Sequence, residues 1–150
     1  MTPLSRSVAV LALVMASATP VLAQEPAPAG RVKLVSGSAF IVRGANTIPA
    51  QPGQVVYEAD GLKTGPDGTL GLTLKDDTRL SLGPGSEVRL EKFLYAPGSG
   101  SLGMVLKFVR GVAAYVSGRM AKLAPDSIRL ETPAAIVGVR GTSLAIRVEP

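Results

Sequence analysis

The chain has 150 residues and a formal net charge of +5; hydrophobic residues make up 46% of it, and it has no histidine, cysteine or tryptophan. This length suffices for one domain with a core that folds without covalent staples. Without imidazoles and thiols there is no Ser-His-Asp or Cys-His nucleophile system, and no zinc or copper site built on those ligands.

The first residues, MTPLSRSVAVLALVMASATPVLAQ, have the character of an export signal. Arg6 is the only charge before the apolar run Val8 to Met15, and Val21 and Ala23 suit the third and first positions before a signal-peptidase cut. The run is too short to serve as a permanent anchor across roughly 30 Å of hydrocarbon. Residues 1–23 are therefore expected to be a signal peptide cleaved after Ala23, and the protein to be periplasmic or secreted with no permanent membrane span. Residues 24–30, rich in Pro and Ala, read as a mobile leader, and residues 31–150 as one domain. Export predicts an oxidising compartment, where small domains often carry disulfides. With no cysteine, the core must hold this fold alone.

From Val32 onward the apolar residues recur with a period of two. Leu70, Leu72 and Leu74 share one face, as do Leu80 and Leu82, Val88 and Leu90, and Ile128 and Leu130. RVKLVSG, AFIVRG, QVVYE, MVLKFVRG and GVAAYVSG are further strand candidates. Turn signals separate them: GPDG (65–68), KDDT (75–78) and GPGS (83–86), the last with the Pro-Gly centre of a type II turn. LYAPGSGSLG (94–103) reads as an exposed loop, and SGRMAKLAPD has room for one helical turn before Pro125. The prediction is an all-β fold of short, coiled antiparallel strands, arranged as a sandwich or a solenoid-like coil.

Carboxylate pairs are the catalytic option left: Glu58 with Asp60, Asp76 with Asp77, and Glu87 with Glu91. Even spacing puts Glu87 and Glu91 on one solvent face, and Asp76 and Asp77 suit a turn. No DxDxDG run supplies calcium oxygens. No enzymatic activity and no cofactor is expected. Six aromatics and no tryptophan argue against a sugar platform; Phe40, Phe93, Phe108 and Tyr115 are assigned to the core. The basic residues are scattered singly, as on ordinary solvated strand faces, and no nucleic-acid partner is expected.

TPAAIVGVRGTSLAIRV (132–148) has the spacing of a phosphate loop, but Leu144, Ile146 and Val148 alternate like a strand. A phosphate loop needs a helix at that point, and the lysine such loops carry is missing. The stretch reads as strand, glycine turn, strand.

These residues carry a resemblance. Gly53, Asp60, Thr64-Gly65, Asp77 with Thr78, Leu80-Ser81-Leu82, Ser86, Val88, Lys107 to Gly111, Thr132-Pro133 and Val139-Arg140-Gly141-Thr142 fall in the order found in FecR domains. The chain thus resembles the extracytoplasmic module first known from iron-transport sensors. The resemblance implies a coiled all-β fold that works by binding. An envelope or secreted protein is the leading partner, with an anionic glycan or lipopolysaccharide as the alternative. It marks Asp60, Thr64, Gly65, Asp77, Thr132, Pro133, Arg140, Gly141 and Thr142 as family positions with structural roles; Arg140 either caps turn carbonyls or faces a partner. In the sensors such a domain follows a cytoplasmic anti-sigma region and a membrane span. No such region precedes the apolar segment here, so direct sigma-factor contact is not expected of this chain.

Overall fold

A computed structural model describes residues 17–20, 27–139 and 143–149. In chain order the strands are β1 (Pro28–Ser36), β2 (Ala39–Arg43), β3 (Asn46–Pro49), β4 (Val55–Tyr57), β5 (Gly61–Thr64) and β6 (Thr69–Leu74). They continue with β7 (Arg79–Leu82), β8 (Glu87–Ala96), β9 (Ser101–Val116), β10 (Ile128–Glu131), β11 (Ile136–Gly138) and β12 (Ser143–Val148). A single short helix, α1 (Arg119–Leu123), follows β9 among the described residues. No helix among them is long and apolar enough to cross a membrane.

All twelve strands belong to one curled sheet, and the sixteen-residue β9 runs through both halves of it. In the first wing the order is β3-β2-β5-β8-β9-β10-β11, using the N-terminal part of β9; in the second it is β4-β1-β6-β7-β9-β12, using the C-terminal part. Three connections of four residues or fewer pass from one wing to the other in the same layer order: β1 to β2 at Gly37-Ser38, β5 to β6 at residues 65–68, and β7 to β8 at residues 83–86. The bend of β9 at Gly111 is the fourth corner, so four corners stack into a seam. The all-β expectation holds in the form of one curled, half-barrel sheet whose two wings enclose a single core. One pair departs from the antiparallel expectation: β10 runs parallel to β9.

The inward faces form one core cluster. It takes Leu70, Leu72, Leu74, Leu80 and Leu82 from the second wing and Ile41, Leu62, Val88, Leu90, Leu106 and Leu130 from the first. Phe108 and Tyr115 are buried in it, Phe93 packs against it, and Phe40 is half-buried.

Two expectations are corrected. Pro28 to Gly30, assigned to the leader, begin β1, where Ala29 is buried and pairing reaches Leu74 from Gly30. Residues 94–103 form the end of the β8–β9 hairpin instead of a loop: Leu94 pairs with Gly103 and Ala96 with Ser101 around a short 3-10 turn at Pro97–Ser99. The predicted cleavage site at Ala23 lies outside the described residues.

Candidate functional site

The seam gives Thr64 and Gly65 their structural roles. Thr64, at the end of β5, is buried beside the Pro84-Gly85 turn. Its hydroxyl donates to the Gly83 carbonyl at 2.7 Å and accepts the Ser86 N–H at 2.9 Å, so it bridges the two ends of that turn. Gly85 has the positive φ of 63° that a type II turn requires at its second central position. The Ser86 hydroxyl accepts the Val112 N–H and donates to the Val112 carbonyl, both at 2.9 Å. Gly65 completes the stack, donating its N–H to Ser38 and accepting the Gly85 N–H. At the last corner Gly111 has φ 86°, and a Cβ there would lie 2.5 Å from the Ser86 Cα. β9 can therefore bend against the turn only with glycine at this position.

Asp60 is a second anchor. It is 2% exposed and accepts Arg43 Nε at 3.0 Å, Arg43 Nη2 at 2.8 Å and the Tyr57 N–H at 2.9 Å. The guanidinium also stacks 4.7 Å from the Tyr57 ring centroid. The hydrogen bond to Asp60 raises the Arg43 pKa above its ordinary value, against the opposing effect of burial. This bidentate pair ties the β2 end to the β4–β5 turn.

Asp76 and Asp77 lie in the β6–β7 turn, as expected, and the structure separates their roles. Asp76, not Asp77, is the buried aspartate: it accepts the Thr78 N–H and hydroxyl and the Met120 N–H. Asp77 is exposed with φ 68°, in a conformation that favours glycine, and its carboxylate pairs with Arg119 at 2.9 Å. Asp76 thereby secures the chain entering α1. The Tyr115 hydroxyl is buried nearby without a hydrogen-bond partner of regular geometry. Burial pushes the phenol up to about 12, with the Asp76 charge adding to the rise and Thr78 opposing it.

Thr132 and Pro133 form the β10–β11 hairpin turn. The Thr132 N–H donates to Ala135 at 2.8 Å, and its hydroxyl accepts the Ala135 N–H at 3.0 Å. β12 then lies in the other wing, paired with β9, so the segment does not close as a simple hairpin. Arg140, Gly141 and Thr142 lie outside the described residues.

The carboxylates singled out by sequence do not converge into a pair around open space. Asp60 is held by Arg43, while Glu58 accepts the Phe93 N–H at 3.0 Å. Glu87 pairs with Arg110, and Glu91 with Arg89. Both glutamates lie beside the outward arginines of the first wing, although β8 is bulged at Glu87/Val88 and again between Leu90 and Lys92.

The outward faces of the wings differ sharply in charge. On the first, Arg89, Arg110 and Arg129 each lie within 4.0 Å of a glutamate. On the second, β1, β6, β7, β12 and the C-terminal part of β9 contain no Asp or Glu. Its middle row, read across the strands, is Leu34, Gly71, Ser81, Ala114 and Ala145. These small residues floor a shallow trough of about 340 Å³, ended by Leu34, which is 73% exposed. Arg79 lies in the row on one side and Arg147 in the row on the other. Arg31, Arg79 and Arg147 are the described arginines without a carboxylate partner, and Arg31 instead donates to the Gly53 carbonyl. Sequence reading missed this trough, because its floor is made of residues with no distinctive pattern along the chain.

Comparison with curated proteins and with solved structures gives no match. A protein-family model described as FecR protein matches residues 60–150, from the buried Asp60 through the seam and β12. The match covers more than half of the chain and includes three of the four corners: the chain belongs to the FecR family.

Proposed function

We propose that this protein is an exported, non-catalytic binding module of the cell envelope, and that its partner is a protein. FecR membership supports an envelope-related signalling role. The observation that carries the binding reading is the uncharged trough on the second wing, flanked by arginines without carboxylate partners. A contiguous neutral depression with unpaired charge at its rim is characteristic of an interaction surface. The motif carboxylates Asp60 and Asp76 are occupied by internal donors, which favours a scaffold role for them over chemistry.

An anionic glycan is the second reading, favoured by the same arginines, but it gives the neutral floor between them no role. Two measurements test the proposal. Fractionation should find the chain in the envelope or medium with Gln24 as its first residue; retention in the cytoplasm at full length opposes export. Whole-cell crosslinking should recover one partner protein in stoichiometric yield, and recovery of background alone refutes the module. Turnover of peptidoglycan fragments that is lost in Asp76→Ala or Glu58→Ala would overturn the non-catalytic assignment.

A further inference from the structure

The geometry points to one class of occupant for the trough: an amphipathic α-helix of a partner protein, with a narrow apolar stripe flanked on both sides by carboxylates. This inference rests on the binding-module reading and specifies the chemistry of its site.

The dimensions fit a helix. The row from Leu34 to Ala145 crosses five strands. At a strand spacing of about 4.8 Å the floor is roughly 19 Å long, the length of about thirteen helical residues. The rows bearing Arg79 and Arg147 are four residues apart along the strands, or about 13 Å, close to the 10–12 Å diameter of a helix. Glycine, serine and alanine on the floor allow the helix close approach, and Leu34 offers an apolar contact at one end.

Backbone accounting argues against an extended segment. The strands under the trough direct their backbone hydrogen bonds within the sheet plane, and only the outer edge of β12 lacks a strand neighbour among the described residues, so the face itself offers no N–H or C=O groups to a peptide laid across it. An extended occupant would leave its own backbone groups unpaired against that floor, whereas a helix satisfies them internally.

Charge narrows the choice further. Arg79 and Arg147 are exposed and have no partner, and the strands of this face carry no carboxylate. A second copy docking by the same face would oppose like charges. Nor is the chain's own N-terminal segment complementary, since residues 1–27 contain Arg6 and a single carboxylate, Glu25, which cannot flank an apolar stripe on both sides. An acidic flank on each side of the apolar stripe satisfies both arginines.

The test places a photo-crosslinking amino acid at exposed Ala114 on the floor and, separately, at exposed Lys107 on the opposite wing, in cells of the source organism. Illumination should give an Ala114 adduct with one protein. Its crosslinked peptide should carry apolar residues at helical spacing with Asp or Glu on both sides. The double substitution Arg79→Glu, Arg147→Glu should reduce that adduct at least ten-fold without changing the melting temperature, and reversing the partner's carboxylates to Arg should restore it. An Ala114 adduct with lipid, glycan, a second copy, residues 1–27 or a segment without that pattern overturns the inference. So does an adduct insensitive to the double substitution. A protein adduct from Lys107 alone overturns it while leaving the binding module standing. Absence of adducts at both positions removes the module and the inference with it.

Discussion

Replacing Thr64 by Val keeps the shape of the side chain and deletes the hydroxyl that bridges the Pro84-Gly85 turn. The Ser86 N–H then loses its acceptor at a residue that is 0% exposed. A buried donor left unpaired costs about 1–3 kcal/mol. The Gly83 carbonyl also loses its 2.7 Å donor, but Gly83 is only half-buried and water can replace the hydroxyl there, adding at most about 1 kcal/mol. The expected loss is therefore about 2–3 kcal/mol. With a urea m-value of about 1–3 kcal/mol/M for a domain of this size, the unfolding midpoint should fall by roughly 1–2 M at unchanged m. Thr64→Ser keeps the oxygen and should retain most of the stability. Equal losses in the Val and Ser variants would show that the methyl contact, not the hydroxyl bridge, holds the corner. A Val variant within 0.5 kcal/mol of the parent on the same order-of-magnitude scale would refute the seam argument altogether.

Arg43→Gln leaves Asp60 buried with the Tyr57 N–H as its remaining donor; urea unfolding should show a loss of about 3 kcal/mol, the low end for a broken buried pair because Arg43 is itself 38% exposed. Asp76→Asn places an amide donor among three donors and should cost about 2 kcal/mol. In the same assay Asp77→Gly should be neutral or stabilising by up to about 1 kcal/mol, since it relieves a positive φ and gives up only an exposed ion pair. If Asp77→Gly is the more damaging of the two, the assignment of Asp76 as the anchor is wrong. The Tyr115 phenol is pushed up to about 12 from an ordinary 10, so folding favours its neutral form. That contribution is complete below pH 10 and is lost between pH 10 and about 12, as the unfolded chain ionises first; it amounts to about 2–3 kcal/mol. Urea midpoints compared across that range should fall less steeply in Tyr115→Phe than in the parent, and parallel profiles would contradict the shift.

Much of the sheet was legible because one-sided burial leaves a mark along the chain. Leu70, Leu72 and Leu74 alternate with outward Thr and Gly, and every one of the three leucines is buried. β5 gave no such signal: Gly61, Leu62 and Thr64 are all buried at a corner, where both faces are covered. The β8–β9 hairpin was hidden by its Pro-Gly-Ser tip and by the bulge after Leu90, which breaks the alternation before Phe93 and Tyr95 resume it. Asp76 and Asp77 are neighbours of identical chemistry, and only the turn geometry decides which one is buried. The trough is silent in sequence for another reason. Gly71, Ser81, Ala114 and Ala145 come from four strands, and an arginine's lack of a partner appears only once the carboxylates have positions.

The division between scaffold and surface follows from where the side chains point. Thr64, Ser86 and Asp60 are buried at corners and turns, with their polar groups turned to neighbouring backbone or to Arg43. Thr64 and Ser86 hold the turn against which β9 bends, and Asp60 ties the end of β2 to the β4–β5 turn. Arg79, Ala114 and Arg147 are exposed on the outer side of that wing, so changing them alters neither core nor seam. The corner residues within the matched segment thus build the face, and substitutions of the residues proposed to read a partner leave that framework intact. Leu34, which ends the trough, precedes the matched residues 60–150 altogether. On this division, Leu34→Ser should leave the urea midpoint unchanged and weaken capture at Ala114, because it removes an exposed contact from the trough and nothing from the core. A fall in stability comparable to that of Thr64→Val would place Leu34 in the scaffold and shift the recognition surface away from this end of the sheet.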